Sequence, residues 1–136
     1  MLKDLRNLKM TDFSVAMVPV EPEISDQPWS WDCYLINLKD EPVNDVLITT
    51  KGYSQTDDNE RRSSTLRYYY TQIGPKEAVL LEIIQPELVS LTNEFWISFS
   101  LGGYMFDRKF LFVEGSLDPA YLTLVPVLNK QGVMIV

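Results

Sequence analysis

Between Glu94 and Val113 the side chains themselves spell out a β-hairpin. Phe95, Ile97, Phe99 and Leu101 alternate with Trp96, Ser98 and Ser100, so one face of a strand is apolar and the other mixed. Gly102-Gly103 can take the positive φ angles of a tight two-residue turn. A second aromatic strand, Tyr104–Val113, follows. Period-two alternation recurs along the chain and constrains it to an all-β domain.

Phe13, Val15 and Met17 alternate with Asp12, Ser14 and Ala16 in a first strand. Pro19, Pro22 and Pro28 then mark an edge or connecting segment, because proline cannot donate to a ladder. Trp31–Leu38 is apolar on both faces, with Tyr34, Ile36 and Leu38 in one row and Trp31, Cys33 and Leu35 in the other. Such a strand belongs at the centre of a sheet. Lys39–Asp45 is a turn by composition. Val46–Ser54 and Arg61–Gln72 are strands around the polar loop Gln55–Glu60. Val79, Leu81 and Ile83 alternate with Ala78, Leu80 and Glu82, and Pro86–Ser90 has room for one helical turn. Leu122–Leu128 and Gly132–Val136 complete the set. The total is about seven to nine strands at the ~8–12-residue spacing of a sandwich or barrel. Without ten-residue helical patterns between strands, a parallel βαβ sheet is disfavoured.

The length of 136 residues suits one domain with one core. Residues 1–12 read as an N-terminal arm, with Leu2, Leu5 and Leu8 on one side of a short helix; residues 13–136 read as the β domain. The net charge of −7 argues against nucleic acid and against an anionic membrane surface as partners. No apolar run approaches the ~20 residues of a spanning helix. Charges interrupt the leucines of Met1–Met10, leaving no signal-peptide core. One cysteine excludes an internal disulfide and suits a reducing compartment, so the expected location is cytoplasmic. The chain has no histidine, which removes the commonest general base, the commonest metal ligand and every Ser-His or Cys-His pair.

Tyr34–Thr49 and Ile73–Leu81 are similar to bacterial immunoglobulin-like and fibronectin-III-like modules of the cell-adhesion-repeat type. Those run from a strand through Asn and a Gly/Asp-Glu-Pro turn into the next strand, then through a Gly-x-Lys/Glu loop. Asn37, Asp40-Glu41-Pro42 and Gly74-Pro75-Lys76-Glu77 carry the likeness here. The tyrosine-rich Arg61–Gln72 and the missing secretion signal depart from it. The resemblance implies an immunoglobulin-like antiparallel β-sandwich with a binding role and no activity. A closed β-barrel is the alternative architecture.

Candidate sites follow from alternation. Tyr68 and Tyr70 share one face of their strand with the core, leaving Tyr69 beside Arg67 on the other, where Trp96 could join them. A two-residue turn would bring Ile97 opposite Arg108, a costly place for a guanidinium. A β-bulge near Asp107 that turns the charges to water is the favoured explanation, over an arginine aimed at an acidic partner. The apolar C-terminus, Val133 and Ile135 in particular, should be paired in a sheet or buried in an interface. Asp57, Asp58, Asn59 and Glu60 lack the ligand spacing and glycine of a calcium loop. Cys33 reads as a buried, inert thiol, and Trp29 and Trp31 as packing residues rather than a sugar platform. Asp40, Glu41, Asp45, Glu82, Asp107 and Glu114 are scattered through turns, a poor basis for a carboxylate-based hydrolase. No catalytic residue, cofactor or metal is expected. The expectation is a non-enzymatic interaction or structural module, with a protein partner or a second copy as homo-oligomer. The interaction surface is drawn from Arg67, Tyr69, Trp96, Arg108, Val133 and Ile135. A small-molecule ligand in a tyrosine-lined pocket is the alternative.

Overall fold

In a computed structural model describing residues 13–54 and 65–135, period-two alternation produces nine strands. They are β1 (Phe13–Val20), β2 (Ser30–Asn37), β3 (Val43–Tyr53), β4 (Leu66–Ile73), β5 (Ala78–Ile84), β6 (Thr92–Leu101), β7 (Tyr104–Phe112), β8 (Thr123–Val125) and β9 (Lys130–Ile135). A single helical turn, α1 (Pro86–Val89), separates β5 from β6. The leucine arm at 1–12, the acidic loop at 57–60 and Val136 lie outside the described residues.

The strands form two antiparallel sheets, ordered β5-β2-β1-β9-β8 and β4-β3-β6-β7. Neither sheet closes on itself, which replaces the barrel alternative with a sandwich-like, two-sheet arrangement. Val15, Met17, Trp31, Cys33 and Leu35 from the first sheet meet Ile48, Phe95, Ile97, Phe110 and Phe112 from the second in one buried core. Phe13 stacks on Phe99 at 5.0 Å between centroids, and Phe95 meets Phe112 edge-on at 5.9 Å. Rings in these geometries add to the gain from area burial.

The two apolar rows of β2 have separate destinations. Trp31, Cys33 and Leu35 enter the main core. Ile36, with Tyr34 and Leu38 beside it, joins Ala16 and Val125 in a small second cluster on the back of the first sheet. Leu128 and Met134 pack on that cluster, so the C-terminal segment covers part of this back face. Pairing of β9 to β1 runs only from Val15 to Met17, so at Pro19 the ladder has β2 alone as neighbour. A proline is tolerated where one side of the strand is unpaired.

Two registers differ from the sequence reading. Gly102 and Gly103, at φ 59° and 83°, close the predicted turn, and β6 pairs with β7 without interruption from Leu101↔Tyr104 to Asn93↔Phe112. The bulge expected at Asp107 is therefore absent, and Ile97 does face Arg108. The cost is reduced because β7 is an edge strand: the half-buried guanidinium lies over the Phe110 ring, 4.5 Å from its centroid. Burial lowers the pKa of Arg108 from its ordinary value. A bulge does occur in β5. The register with β2 shifts between Cys33↔Glu82 and Tyr34↔Leu80, making Leu81 the extra residue. Beyond it the alternation reverses, so Ile83 turns outward and Glu82 turns toward the space between the sheets.

Candidate functional site

The core claims one face of β4-β3-β6-β7 and leaves the other outward. Cross-strand register arranges that outward face in rows. Lys51, Glu94 and Leu111 form the first row. Arg67, Thr49, Trp96 and Lys109 form the second, and Tyr69, Leu47, Ser98 and Asp107 the third. Ser100 and Met105 start a fourth. Asp45 stands beyond Leu47 at an irregularity in the β3–β6 register, with φ 51°, and accepts a hydrogen bond of 2.8 Å from the Tyr69 hydroxyl. That bond raises the pKa of the Tyr69 phenol.

Large apolar side chains stand open across this face. Leu47 is 53% exposed, Tyr69 53%, Trp96 46% and Met105 60%. Charges border them. Glu94 is buried beneath its neighbours, with Lys51 Nζ at 3.4 Å, Lys109 Nζ at 3.3 Å and a 3.2 Å hydrogen bond from the Tyr53 hydroxyl. Burial, then the Glu94 charge, raises the pKa of Tyr53. Lys109 also lies over the Trp96 ring at 5.9 Å. Both lysines are about half exposed, so each ion pair adds little to stability; their effect is to fix the positions of the cations. On the third row the Ser98 hydroxyl donates to Asp107 at 2.5 Å.

Of the residues singled out from sequence, Arg67, Tyr69 and Trp96 meet on this face. Arg108 points to the opposite side of the same sheet. Val133 and Ile135 sit on β9 of the other sheet, paired with β1 and packed against the main core, so they lie apart from the surface. Tyr68 and Tyr70 pack toward the core as expected. Leu47, Met105, Lys51, Glu94 and Lys109 were missed. Alternation assigns each to a face of its own strand, but only the β3–β6 pairing, between strands distant in sequence, brings them together.

A second feature is a cleft of about 310 Å³ at the open side of the sandwich, lined by Thr50, Leu66, Glu82, Ile84, Leu88 and Phe95 among others. The β5 bulge delivers Glu82 here. Burial raises its carboxyl pKa, opposed by hydrogen bonds from Thr50 and Tyr68. The Tyr68 hydroxyl donates at 3.3 Å, and burial together with the Glu82 charge pushes its phenol up to about 12. Arg67 faces away from this cleft. Cys33 is fully buried, and burial, with Glu82 and Asp32 nearby, raises its pKa well above the usual thiol value. The thiolate needed for nucleophilic attack is thereby suppressed. Trp29 is 44% exposed and lines, with buried Trp31, Pro28, Pro86 and Pro119, a cleft of about 240 Å³ at one end of the sandwich. The other carboxylates are dispersed: Asp40 and Glu41 contact Lys76 and Lys39 in a surface turn, and Glu114 is exposed. No family model, curated protein or solved structure matches the chain.

Proposed function

We propose that this chain is a non-enzymatic protein-interaction module of the immunoglobulin-like type, acting in the cytoplasm through the outward face of β4-β3-β6-β7. The observation that carries the reading is the open band of Leu47, Tyr69, Trp96 and Met105. Trp, Tyr, Met and Arg are the side chains enriched at protein interfaces, and Trp96, Tyr69, Met105 and Arg67 stand outward on this one face. The immunoglobulin-like assignment is supported by strand order. With β1 to β7 lettered A, B, C, C′, E, F and G, the sheets run E-B-A and C′-C-F-G, and β8 and β9 extend the first beyond A. The cytoplasmic assignment rests on the single cysteine, held as a thiol. A small-ligand module using the Glu82 cleft is the second reading. It ranks below the first because Thr50 and Tyr68 already engage that carboxyl.

The test is affinity capture from native lysate with the unaltered chain, Trp96→Glu and Leu80→Glu, the last on the first sheet and 48% exposed. The expected result is capture, of another protein or of a second copy, that Trp96→Glu abolishes and Leu80→Glu leaves intact. Capture indifferent to Trp96→Glu would refute the reading.

A further inference from the structure

We propose that the occupant of this face is a second copy of the chain, related by a two-fold axis running across the strands between the Trp96 row and the Leu47 row. The inference rests on the interaction reading above and names its partner. Its basis is the distribution of charge. The first two rows hold Lys51, Arg67 and Lys109 against one carboxylate, Glu94. At the other end stand Asp45 and Asp107, with no cation among the described residues of the third and fourth rows. Among the described residues the face is therefore basic in its first two rows and acidic in the last two, with Trp96, Leu47 and Tyr69 in the middle rows, and its charges balance on a chain of net charge −7. Two copies of such a chain repel at long range, so a neutral face is where they can meet.

A two-fold axis across the strands keeps each strand over its counterpart and reverses its direction. An isologous contact must be self-complementary under that operation. Here the second row of one copy covers the third row of the other. Lys109 then meets the partner subunit's Asp107, and Arg67 meets the ring of the partner subunit's Tyr69. The first row covers the fourth, setting Lys51 near the partner subunit's Asp45 and Leu111 on the partner subunit's Met105. Trp96 lies over the small partner subunit's Ser98, which leaves room for the indole. An axis parallel to the strands would instead set basic rows on basic rows. Stacked sheets twist by ~30° relative to each other, which displaces the outer strands while β3 and β6 stay in register. At ~4.8 Å between strands and ~6.8 Å between alternate residues, four strands and four rows project to ~500 Å², on the order of the ~800 Å² of accessible surface per partner in specific dimers.

Sedimentation equilibrium of the full chain is the test. The unaltered chain is expected to dimerise with a Kd in the micromolar range, on the order of 1–50 µM. Asp107→Lys and Lys109→Asp each juxtapose like charges twice across the axis and should raise Kd at least ~10-fold. Mixed in equal amounts, the two variants regain both matched pairs and should form a heterodimer of nearly unaltered affinity. Melting curves identify a variant that fails to fold. Met105→Glu, which alters an exposed side chain at the rim, supplies an independent loss of similar size. An unaltered chain that is monomeric at ~100 µM overturns the proposal, as does a Kd unmoved by all three variants or a mixture of folded charge variants that stays monomeric. A monomer that still captures another protein in a Trp96-dependent manner refutes only the second copy. Capture and mass both indifferent to Trp96 refute the interaction reading as well.

Discussion

Asn37→Asp is expected to lower the melting temperature at neutral pH by about 10 °C, corresponding to about 3 kcal/mol in a domain of this size. Asn37 ends β2 and is fully buried. Its Nδ2 donates to the carbonyls of Glu41 at 2.8 Å, Gly74 at 3.0 Å and Ile73 at 3.3 Å, and its Oδ1 accepts from the Lys39 amide at 3.0 Å. The β2–β3 and β4–β5 connections both pass from one sheet to the other, and this side chain ties them together from within, beside the outer link from the Lys76 amide to the Lys39 carbonyl at 3.1 Å. An aspartate has the same shape, but it would direct a carboxylate oxygen at three carbonyl oxygens and leave them without a donor. Buried acceptors left unpaired are costly, and a buried charge more so. Protonation returns one donor, so the deficit should shrink as the pH falls toward ~4. Melting curves at both pH values measure it. A drop of only ~2 °C at neutral pH would mean that the buried amide contributes little to holding the two connections together.

Gly132→Ala should cost about 2 kcal/mol, in the middle of the range for an extra methyl group forced into a packed site. A Cβ at this position would stand 2.6 Å from the Met17 backbone oxygen, 3.0 Å from Val125 Cγ2 and 3.3 Å from Val18 Cγ2. Met17 belongs to β1, which is held between β2 and β9, so its backbone cannot retreat. The strand that moves is β9. Hydrogen exchange should accordingly show lost protection in β8 and β9 and in the second cluster around Val125, with β3 and β6 unchanged. Unaltered exchange in β9 would show that the methyl group is accommodated without a shift.

Much of this architecture was legible from alternation and turn chemistry. The Gly102-Gly103 hairpin and its register, the two apolar rows of β2 and the opposite destinations of Tyr68 and Tyr69 all follow from a period of two within or between adjacent strands. What escaped depends on distant partners. The Leu81 bulge reverses the faces of Glu82 and Ile83, and nothing in the local pattern marks it because both rows of β5 are largely apolar. Local reasoning favours a bulge near Asp107 because burial of the Arg108 guanidinium is costly. An edge strand with Phe110 beneath the guanidinium reduces that cost without a register change. The close approach of Gly132 to Met17 joins the two ends of the chain and has no signature in either segment. The candidate surface was half legible for the same reason. Arg67, Tyr69 and Trp96 are outward on their own strands, while their union with Leu47, Lys51 and Met105 depends on β3 pairing with β6.

The most direct measurement of the central claim is hydroxyl-radical footprinting of the protein, concentrated in native lysate and again alone at high dilution. Association through the outward face predicts protection of Leu47, Tyr69, Trp96 and Met105 in the first condition, with Leu80, Ile83 and Leu124 equally reactive in both. Equal reactivity of the first four residues, or protection centred on the other three, would contradict the account.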